Sequence, residues 1–111
     1  MNKNYFITTP IYYPSAKPHM GHAYTSIIAD FFARFKRMDG YTVHFLTGTD
    51  EHGLKIQRAA EKNNTDPLVF CNEISQTFRD LSKKLNLSNT DFIRTTEERH
   101  KKTVQYIWSE L

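Results

Sequence analysis

Two histidines stand three residues apart around a glycine in the stretch PHMGH, residues 18–22, which directly follows the proline-rich run YYPSAKP. At this spacing, His19 and His22 project to one side of a helix start and can donate hydrogen bonds to one phosphoryl group. The first turn of a helix also presents unpaired backbone N–H groups that bind phosphate. Because Gly21 has no Cβ, a flat ligand such as a purine ring can pack against its backbone. The stretch therefore favours a phosphate or nucleotide site.

Two other interpretations of this pair stay open. In the first, His19 and His22 are polar surface residues at a helix cap. In the second, Asp50 and His52 join them as nitrogen and oxygen ligands of a metal ion. A metal site has no need for Gly21, and no glutamate lies between the histidines to act as a base, so phosphate is favoured over metal.

A second polar segment is GTDEHG, residues 48–53, which follows a predicted strand. A carboxylate at the end of a strand, beside glycines that let a ligand approach, suits an ammonium group or ribose hydroxyls. Asp50 is therefore a candidate binding residue, although it would also serve as the cap of a helix that begins near Leu54. Glu51 is open to being a solvated side chain, and His52 to bonding a neighbouring loop.

The stretch PIYY, residues 10–13, offers apolar surface near the end of the first predicted strand. Pro10, Ile11 and the ring of Tyr13 can line a pocket for an uncharged side chain. Aromatic residues beside a strand end more often belong to the core, so this pattern alone is a weak indication.

A length of 111 residues fits one small domain or a piece of a larger one. A net charge of +3 permits a nucleic-acid partner without arguing for one. Cys71 is the single cysteine, which excludes a disulfide or a thiol cluster within the chain and predicts a small core residue. No stretch approaches the ~18 apolar residues of a membrane span, so a cytoplasmic protein without membrane contact is expected.

Short apolar, β-branched runs alternate with segments of helical periodicity. Strands are predicted at residues 5–9, 42–47 and 91–96, with helices from about residue 20, at 54–62, from residue 67 and after residue 96. Asp66 is expected to cap the third helix, and Thr95 and Glu98 to form a capping box for the last one. Strands this far apart in sequence do not form hairpins, so the prediction is an α/β fold, a Rossmann-like parallel sheet with flanking helices.

Two predicted helices carry continuous apolar stripes. These stripes are Ile27, Ile28, Phe31, Phe32 and Phe35 on the first helix, and Phe70, Ile74, Phe78, Leu81 and Leu85 on the third. In parallel sheets, ligands bind beyond the carboxyl ends of the strands. Both PHMGH and GTDEHG follow such ends, so the two segments are expected to share one crevice if their strands are neighbours.

PHMGH resembles the HIGH signature of class I aminoacyl-tRNA synthetases, with Met20 where isoleucine is common. The longer strings ITTPIYYPSAKPHMGHAYT, ADFFARFKRMDGYTVHFLTGTDEHG and DFIRTTEERH resemble the N-terminal part of the methionyl-tRNA synthetase family, over nearly the whole chain. Residues 1–111 would then be the N-terminal half of the Rossmann-type catalytic domain, without the connective insertion, the second half-sheet and the anticodon-binding domain.

The resemblance implies that the full enzyme activates L-methionine with ATP and Mg²⁺ and transfers it to tRNA(Met). It assigns His19, Gly21 and His22 to ATP, with the two histidines as catalytic residues. It assigns Asp50 to the α-ammonium of methionine. The family's methionine pocket matches Pro10, Ile11 and Tyr13, and His52 and Gly53 match the motif beside Asp50 and are expected to support the site. It implies no zinc site within these residues.

Two rival interpretations remain. A nucleotidyltransferase that acts on a small molecule would use the same His-x-Gly-His chemistry, but it would lack GTDEHG and the ITTPIYY stretch. A truncated product that acts only as a binding or regulatory module is the alternative outside enzymes.

The family's second ATP signature, KMSKS, does not occur in the chain, so no lysine here is expected to replace it at the β- and γ-phosphates. We therefore expect that the 111 residues alone do not aminoacylate. ATP–pyrophosphate exchange measured on the isolated chain tests this expectation, and a rate close to that of a full-length enzyme would contradict it.

Overall fold

The computed structural model describes residues 3–111, within which three parallel strands alternate with four helices. In chain order these are β1 (Asn4–Thr8), α1 (Met20–Met38), β2 (Thr42–Thr49), α2 (Leu54–Lys62), α3 (Pro67–Lys84), β3 (Asp91–Arg94) and α4 (Glu98–Glu110). The sheet order is β1-β2-β3, and both neighbouring pairs are parallel. The predicted α/β class is confirmed, and so is the condition that the first two strands are neighbours.

The ends of all three strands differ from the prediction, and β1 is shifted by one residue to Asn4–Thr8. β2 continues to Thr49, and β3 already ends at Arg94. The predicted capping box between Thr95 and Glu98 is wrong, because α4 has Glu97 as its N-cap and no side-chain cap bond. The Thr95 hydroxyl instead accepts the backbone N–H of Glu51 at 2.8 Å. A tertiary partner has therefore taken the residue that local sequence assigned to the helix.

The core on one side of the sheet is built from small helix residues. Ala29 and Ala33 of α1 pack against Val43 and Phe45 of β2. The large apolar side chains of α1 lie exposed within the described part of the chain: Ile27, Ile28, Phe31, Phe32 and Phe35. The periodicity located the helix correctly, but close contact with the sheet requires the alanine face.

Two further clusters hold α2 and α3 in place. Ile56, Ala60, Phe70 and Cys71 form one cluster, which confirms Cys71 as a core residue. Desolvation by burial, followed by the nearby Glu51 carboxylate, raises the pKa of the Cys71 thiol to about 11. The second cluster joins Tyr12, Phe78 and Phe92 beneath the ends of the strands.

Among the helices of residues 3–111, none has the length and apolar character needed to cross a membrane.

A buried carboxylate fixes α1 against the loop that leads into β3. Oδ1 of Asp30 accepts the backbone N–H of Ser88 at 2.7 Å and its hydroxyl at 2.5 Å, and Oδ2 accepts Nε of Arg34 at 2.7 Å. Burial alone would raise the pKa of Asp30, but the hydrogen bonds from Ser88 and Arg34 outweigh it and lower this pKa. The network stabilises the helix that carries the histidine pair.

We predict that Asp30→Ala lowers the free energy of unfolding by about 2–3 kcal/mol, because the Ser88 donors lose a charged acceptor. Since the folded-state pKa of Asp30 lies below its unfolded value of 3.8, its contribution is complete above that pH and is lost as the pH falls through the folded-state pKa. Urea unfolding at neutral and acidic pH measures both effects. Asp39→Ala, an exposed carboxylate at the end of the same helix, is the control, and equal losses in the two variants would contradict the prediction.

Candidate active site

The histidine pair forms the N-terminal cap of α1. His19 is the N-cap residue in an extended conformation, and its Nδ1 accepts the backbone N–H of Gly21 at 3.0 Å. Nδ1 of His22 accepts the backbone N–H of His19, also at 3.0 Å. The two bonds form a reciprocal capping box in which histidines replace the usual serine and glutamate. The helix-cap interpretation is therefore realised in the structure.

The cap determines which ring nitrogen of each histidine carries the proton. A backbone N–H can only donate, so Nδ1 of His19 and Nδ1 of His22 must be unprotonated. In the neutral rings the proton then lies on Nε2, and both Nε2–H groups remain as donors. Capping and ligand binding thus use opposite nitrogens, and the cap interpretation does not compete with the phosphate interpretation.

Aromatic packing holds the pair rigidly. The rings of His19 and His22 stack with their centroids 3.9 Å apart, and the His22 ring meets the edges of Tyr12 and Phe78 at 4.9 and 5.0 Å. Desolvation, followed by repulsion from His19, lowers the pKa of His22 below the usual 6.5. His22 is consequently a neutral hydrogen-bond donor at physiological pH.

Gly21 leaves room for the His19 ring in this geometry. A Cβ on residue 21 would lie 2.8 Å from Cε1 of His19, which is closer than carbon atoms approach one another. The missing side chain lets the His19 ring fold over the first turn and reach the Gly21 N–H. Gly21 therefore has a structural reason that is independent of any purine ring.

The GTDEHG segment begins within β2 and lies beside the loop after β1. Tyr12 forms an isolated parallel bridge with Thr49. Its N–H donates to the Gly48 carbonyl at 2.9 Å, and its own carbonyl accepts the Asp50 N–H at 2.8 Å. These backbone bonds place Asp50 next to the loop that leads to His19. These bonds bring the two loops together, and the crevice expected between PHMGH and GTDEHG stays a prediction.

Asp50 does not cap α2. The N-cap of that helix is Gly53, and no side-chain cap bond is formed there, so the capping alternative is wrong. Asp50 is half-buried. The ion pairs within residues 3–111 use the carboxylates of Asp30, Glu51, Asp91, Glu97 and Glu98. The Asp50 carboxylate therefore has no protein cation as partner within the described residues.

Tyr13, His52 and Gly53 join the two loops. The Tyr13 hydroxyl donates to the His52 carbonyl at 3.0 Å. Gly53 has φ +119°, and a Cβ there would lie 2.4 Å from the Tyr13 hydroxyl oxygen, so only glycine fits. The predicted bond from His52 to a neighbouring loop is confirmed, since its Nε2 lies 3.2 Å from the Thr95 carbonyl oxygen. Pro10 and Ile11 are exposed.

Glu51, treated above as a possible solvated side chain, is the most extensively bonded carboxylate in this region. Its side chain is fully buried. Oε2 accepts the Thr49 hydroxyl at 2.6 Å and Nε of Arg94 at 2.7 Å, and Oε1 accepts Nη2 of Arg94 and the Thr96 hydroxyl, both at 2.8 Å. The bond to Glu51 raises the pKa of Arg94. The expectation of a solvated Glu51 is wrong.

In the structure, burial alternates along β2 and continues past its end: Val43, Phe45, Thr47, Thr49 and Glu51 are buried. Only Val43 and Phe45 of this set are apolar, so the residue types gave little signal for the burial of Glu51. Tyr12 was missed as well: it is buried, whereas Ile11 is exposed and Tyr13 is half-buried. The Tyr12 hydroxyl shares a hydrogen bond of 2.7 Å with the Ser26 hydroxyl.

Beside the histidines lies a cavity of about 310 Å³ with a cationic rim. It is lined by Tyr13, Ser15, Ala16, Lys17, His19, His22 and Lys55. Two lysines thus line the cavity that the two histidine rings face, an arrangement that suits an anion. The sequence showed no signal for it, because Lys55 reaches the cavity from α2.

The metal interpretation finds no support in this geometry. Among residues 3–111, no group of three or more His, Cys, Asp or Glu side chains is arranged to hold a metal ion. The structure therefore does not bring His19, His22, Asp50 and His52 together as a ligand set.

Comparison with known proteins finds relatives that match this chain over nearly its whole length. Residues 5–111 match the family described as tRNA synthetases class I (M). The mitochondrial methionine–tRNA ligase of Takifugu rubripes is 56% identical over 99% of this chain and 19% of its own length. The methionine–tRNA ligase of Rickettsia bellii is 57% identical over 100% of this chain and 22% of its own length.

A solved structure is similar as well. Methionyl-tRNA synthetase of Mycobacterium tuberculosis, in complex with methionyl-adenylate, superposes with a TM-score of 0.95 at 46% identity, covering 96% of this chain and 21% of that one. This chain spans about a fifth of the length of the relatives that it matches. Because the family match extends from residue 5 to residue 111, the chain belongs to the class I tRNA synthetases of the methionine type.

Proposed function

We propose that residues 1–111 form the N-terminal part of the catalytic domain of a methionine–tRNA ligase. The complete enzyme would activate L-methionine with ATP, release pyrophosphate and transfer the methionyl group to tRNA(Met). The observation that supports this proposal is the chain of contacts through Tyr12, whose carbonyl accepts the Asp50 N–H and whose ring packs against that of His22.

The histidine pair suits the chemistry of activation. A carboxylate oxygen of methionine attacks the α-phosphorus of ATP, and the bond from that phosphorus to the bridging oxygen breaks as pyrophosphate leaves. Negative charge grows on the phosphoryl oxygens during this displacement. The Nε2–H groups of His19 and His22, held by the cap, would donate to those oxygens and stabilise the transition state.

The other reactant requires an ammonium partner and an apolar wall. Asp50 would bind the α-ammonium of methionine, and Pro10, Ile11 and Tyr13 would contact its thioether side chain. His52 and Gly53 would support these contacts through Tyr13, whose hydroxyl is fixed on the His52 carbonyl. The relative of known structure contains methionyl-adenylate, which supports methionine and ATP as the reactants.

The phosphate tail of ATP would meet the cationic side of the cavity. Lys17 and Lys55 line it together with the histidines, so their charges would attract the ATP polyphosphate, while the absent KMSKS lysine would still be needed at the β- and γ-phosphates. ATP would enter with Mg²⁺ as its substrate complex. These residues hold no zinc in this proposal, tRNA(Met) would bind mainly through other parts of the enzyme, and the protein would act in the cytoplasm without membrane contact.

We predict that His22→Ala in the full-length enzyme lowers the rate of adenylate formation on the order of 100-fold, because one donor to the transition state is lost. Methionine affinity should change little, since His22 does not contact the amino acid in this proposal. Single-turnover measurement of adenylate formation, together with equilibrium binding of methionine, separates the two effects.

The control for this prediction is His44→Ala, which removes an exposed histidine from β2 far along the strand from the site. Because His22 also caps α1, thermal unfolding must show that the variant is folded at the assay temperature. An unchanged rate in folded His22→Ala would refute the assignment of His22.

We predict that Asp50→Ala weakens methionine binding by roughly 10- to 100-fold, because a buried ammonium loses its charged partner. ATP affinity should stay within about twofold of the wild-type value. Asp39→Ala, which removes an exposed carboxylate elsewhere on the domain, is the control. Calorimetric titration with each ligand gives both affinities. Normal methionine binding by Asp50→Ala would show that this carboxylate is not the ammonium site.

A further inference from the structure

Glu51 is fixed at every polar atom, although it lies in a loop beyond the end of β2. Four donors saturate its buried carboxylate: the Thr49 and Thr96 hydroxyls and two nitrogens of Arg94. Its backbone N–H donates to the Thr95 hydroxyl at 2.8 Å. The neighbouring residue, by contrast, is tied only through its backbone to the loop after β1.

The partners of Glu51 come from three separate elements. Thr49 belongs to β2, Arg94 ends β3, and Arg94 in turn donates to Oδ1 of Asn72 on α3 at 2.7 Å. The Cys71 thiol, also on α3, lies 3.9 Å from the Glu51 carbonyl. Glu51 therefore fixes the loop after β2 to the rest of the domain on the side opposite Tyr12.

Stability alone gives a poor account of this arrangement. A buried ion pair often contributes little net stability, because desolvation of both charges offsets their attraction. The Glu51 side chain is fully buried while Arg94 keeps 19% of its side-chain surface, so the desolvation cost falls mainly on the carboxylate. Such a group defines one conformation more effectively than it lowers the free energy of folding.

Neutralisation of the Arg94 charge is a second role of the Glu51 carboxylate. A guanidinium at the end of β3 would repel a cationic ligand at the end of the neighbouring strand. Both Arg94 bonds to Glu51 are short and bidentate, so the carboxylate neutralises this charge locally. The crevice is then left with Asp50 as the carboxylate that an ammonium group meets.

We propose that Glu51, held by Arg94, is a positioning residue that aims Asp50 at the α-ammonium of the amino acid and so sets the preference for substrates that carry this group. The inference rests on the proposed function, in which Asp50 binds that ammonium. Neither Glu51 nor Arg94 contacts the substrate. Their effect is transmitted through the peptide bond to residue 50 and through neutralisation of the guanidinium.

The test compares two ligands of the full-length enzyme, L-methionine and 4-(methylsulfanyl)butanoate, which lacks the α-amino group. The measured quantity is the ratio of their dissociation constants, obtained by calorimetric titration. Glu51→Gln should lower the preference for methionine about tenfold. The amide oxygen cannot accept all four donors, and the charge of Arg94 is no longer neutralised by a carboxylate. Thr96→Val removes a single donor and should lower it about twofold to threefold.

Arg99→Gln is the matched control. Arg99 forms ion pairs with Asp91, at the start of β3, and with Glu97, beyond its end, but it does not bond the loop after β2. The preference should stay unchanged in this variant. A purely structural role of Glu51 would weaken both ligands by the same factor and leave their ratio intact.

The outcomes are distinct. A reduced ratio in Glu51→Gln and in Thr96→Val, with an unchanged ratio in Arg99→Gln, supports the proposal. An unchanged ratio in both loop variants overturns it, and if Glu51→Gln fails to fold, Thr96→Val alone decides. Asp50→Ala separates the two levels: if its ratio stays at the wild-type value, the assignment of Asp50 itself has failed, whereas loss of preference there and not in the loop variants rejects only the role of Glu51.

Discussion

Parallel pairing on both sides of β2 is the constraint on which the rest of this structure depends. Because β1 and β3 both run parallel to β2, the loops after all three strands meet at one edge of the sheet. Pairing continues beyond the regular strands, through the Tyr12–Thr49 bridge on one side and the Glu51–Arg94 bonds on the other. The backbone of residue 50 is thereby held between Thr49 and Glu51, which are both bonded to neighbouring segments. Its position in the loop is therefore as well defined as a position within a strand.

The start of α1 shows how one residue type can meet two demands. A helix N-terminus needs side-chain acceptors for its first N–H groups, and the proposed phosphoryl transfer would need donors. Neutral histidine offers one of each, on opposite sides of the ring. Serine or aspartate at positions 19 and 22 would cap the helix but would place no rigid N–H donor beyond it. The lowered pKa of His22 keeps its acceptor nitrogen available to the cap.

Sequence reasoning reached the architecture because its signals are local. Strand and helix periodicity located every element of residues 3–111, residue types and spacing located the two motifs, and the resemblance assigned roles to them. It failed where a tertiary partner decided the outcome. The local pattern assigned Thr95 to a helix cap, but its hydroxyl accepts the Glu51 N–H. A solvated Glu51 was left open, but the fold buries its side chain. Which face of α1 packs was also hidden, since hydrophobicity favoured phenylalanines and the sheet required Ala29 and Ala33.

These failures share a physical cause that bears on the chemistry. The residues proposed to touch a substrate stand out in sequence because His19, Gly21 and His22 form a compact motif after a predicted strand. Residues that hold them in place do not, because a glutamate or a threonine in a loop resembles any surface residue until the fold buries it. In this chain the cost of burying Glu51 is met by four hydrogen bonds. Such saturation, rather than residue type, is the structural mark of a residue that positions its neighbour.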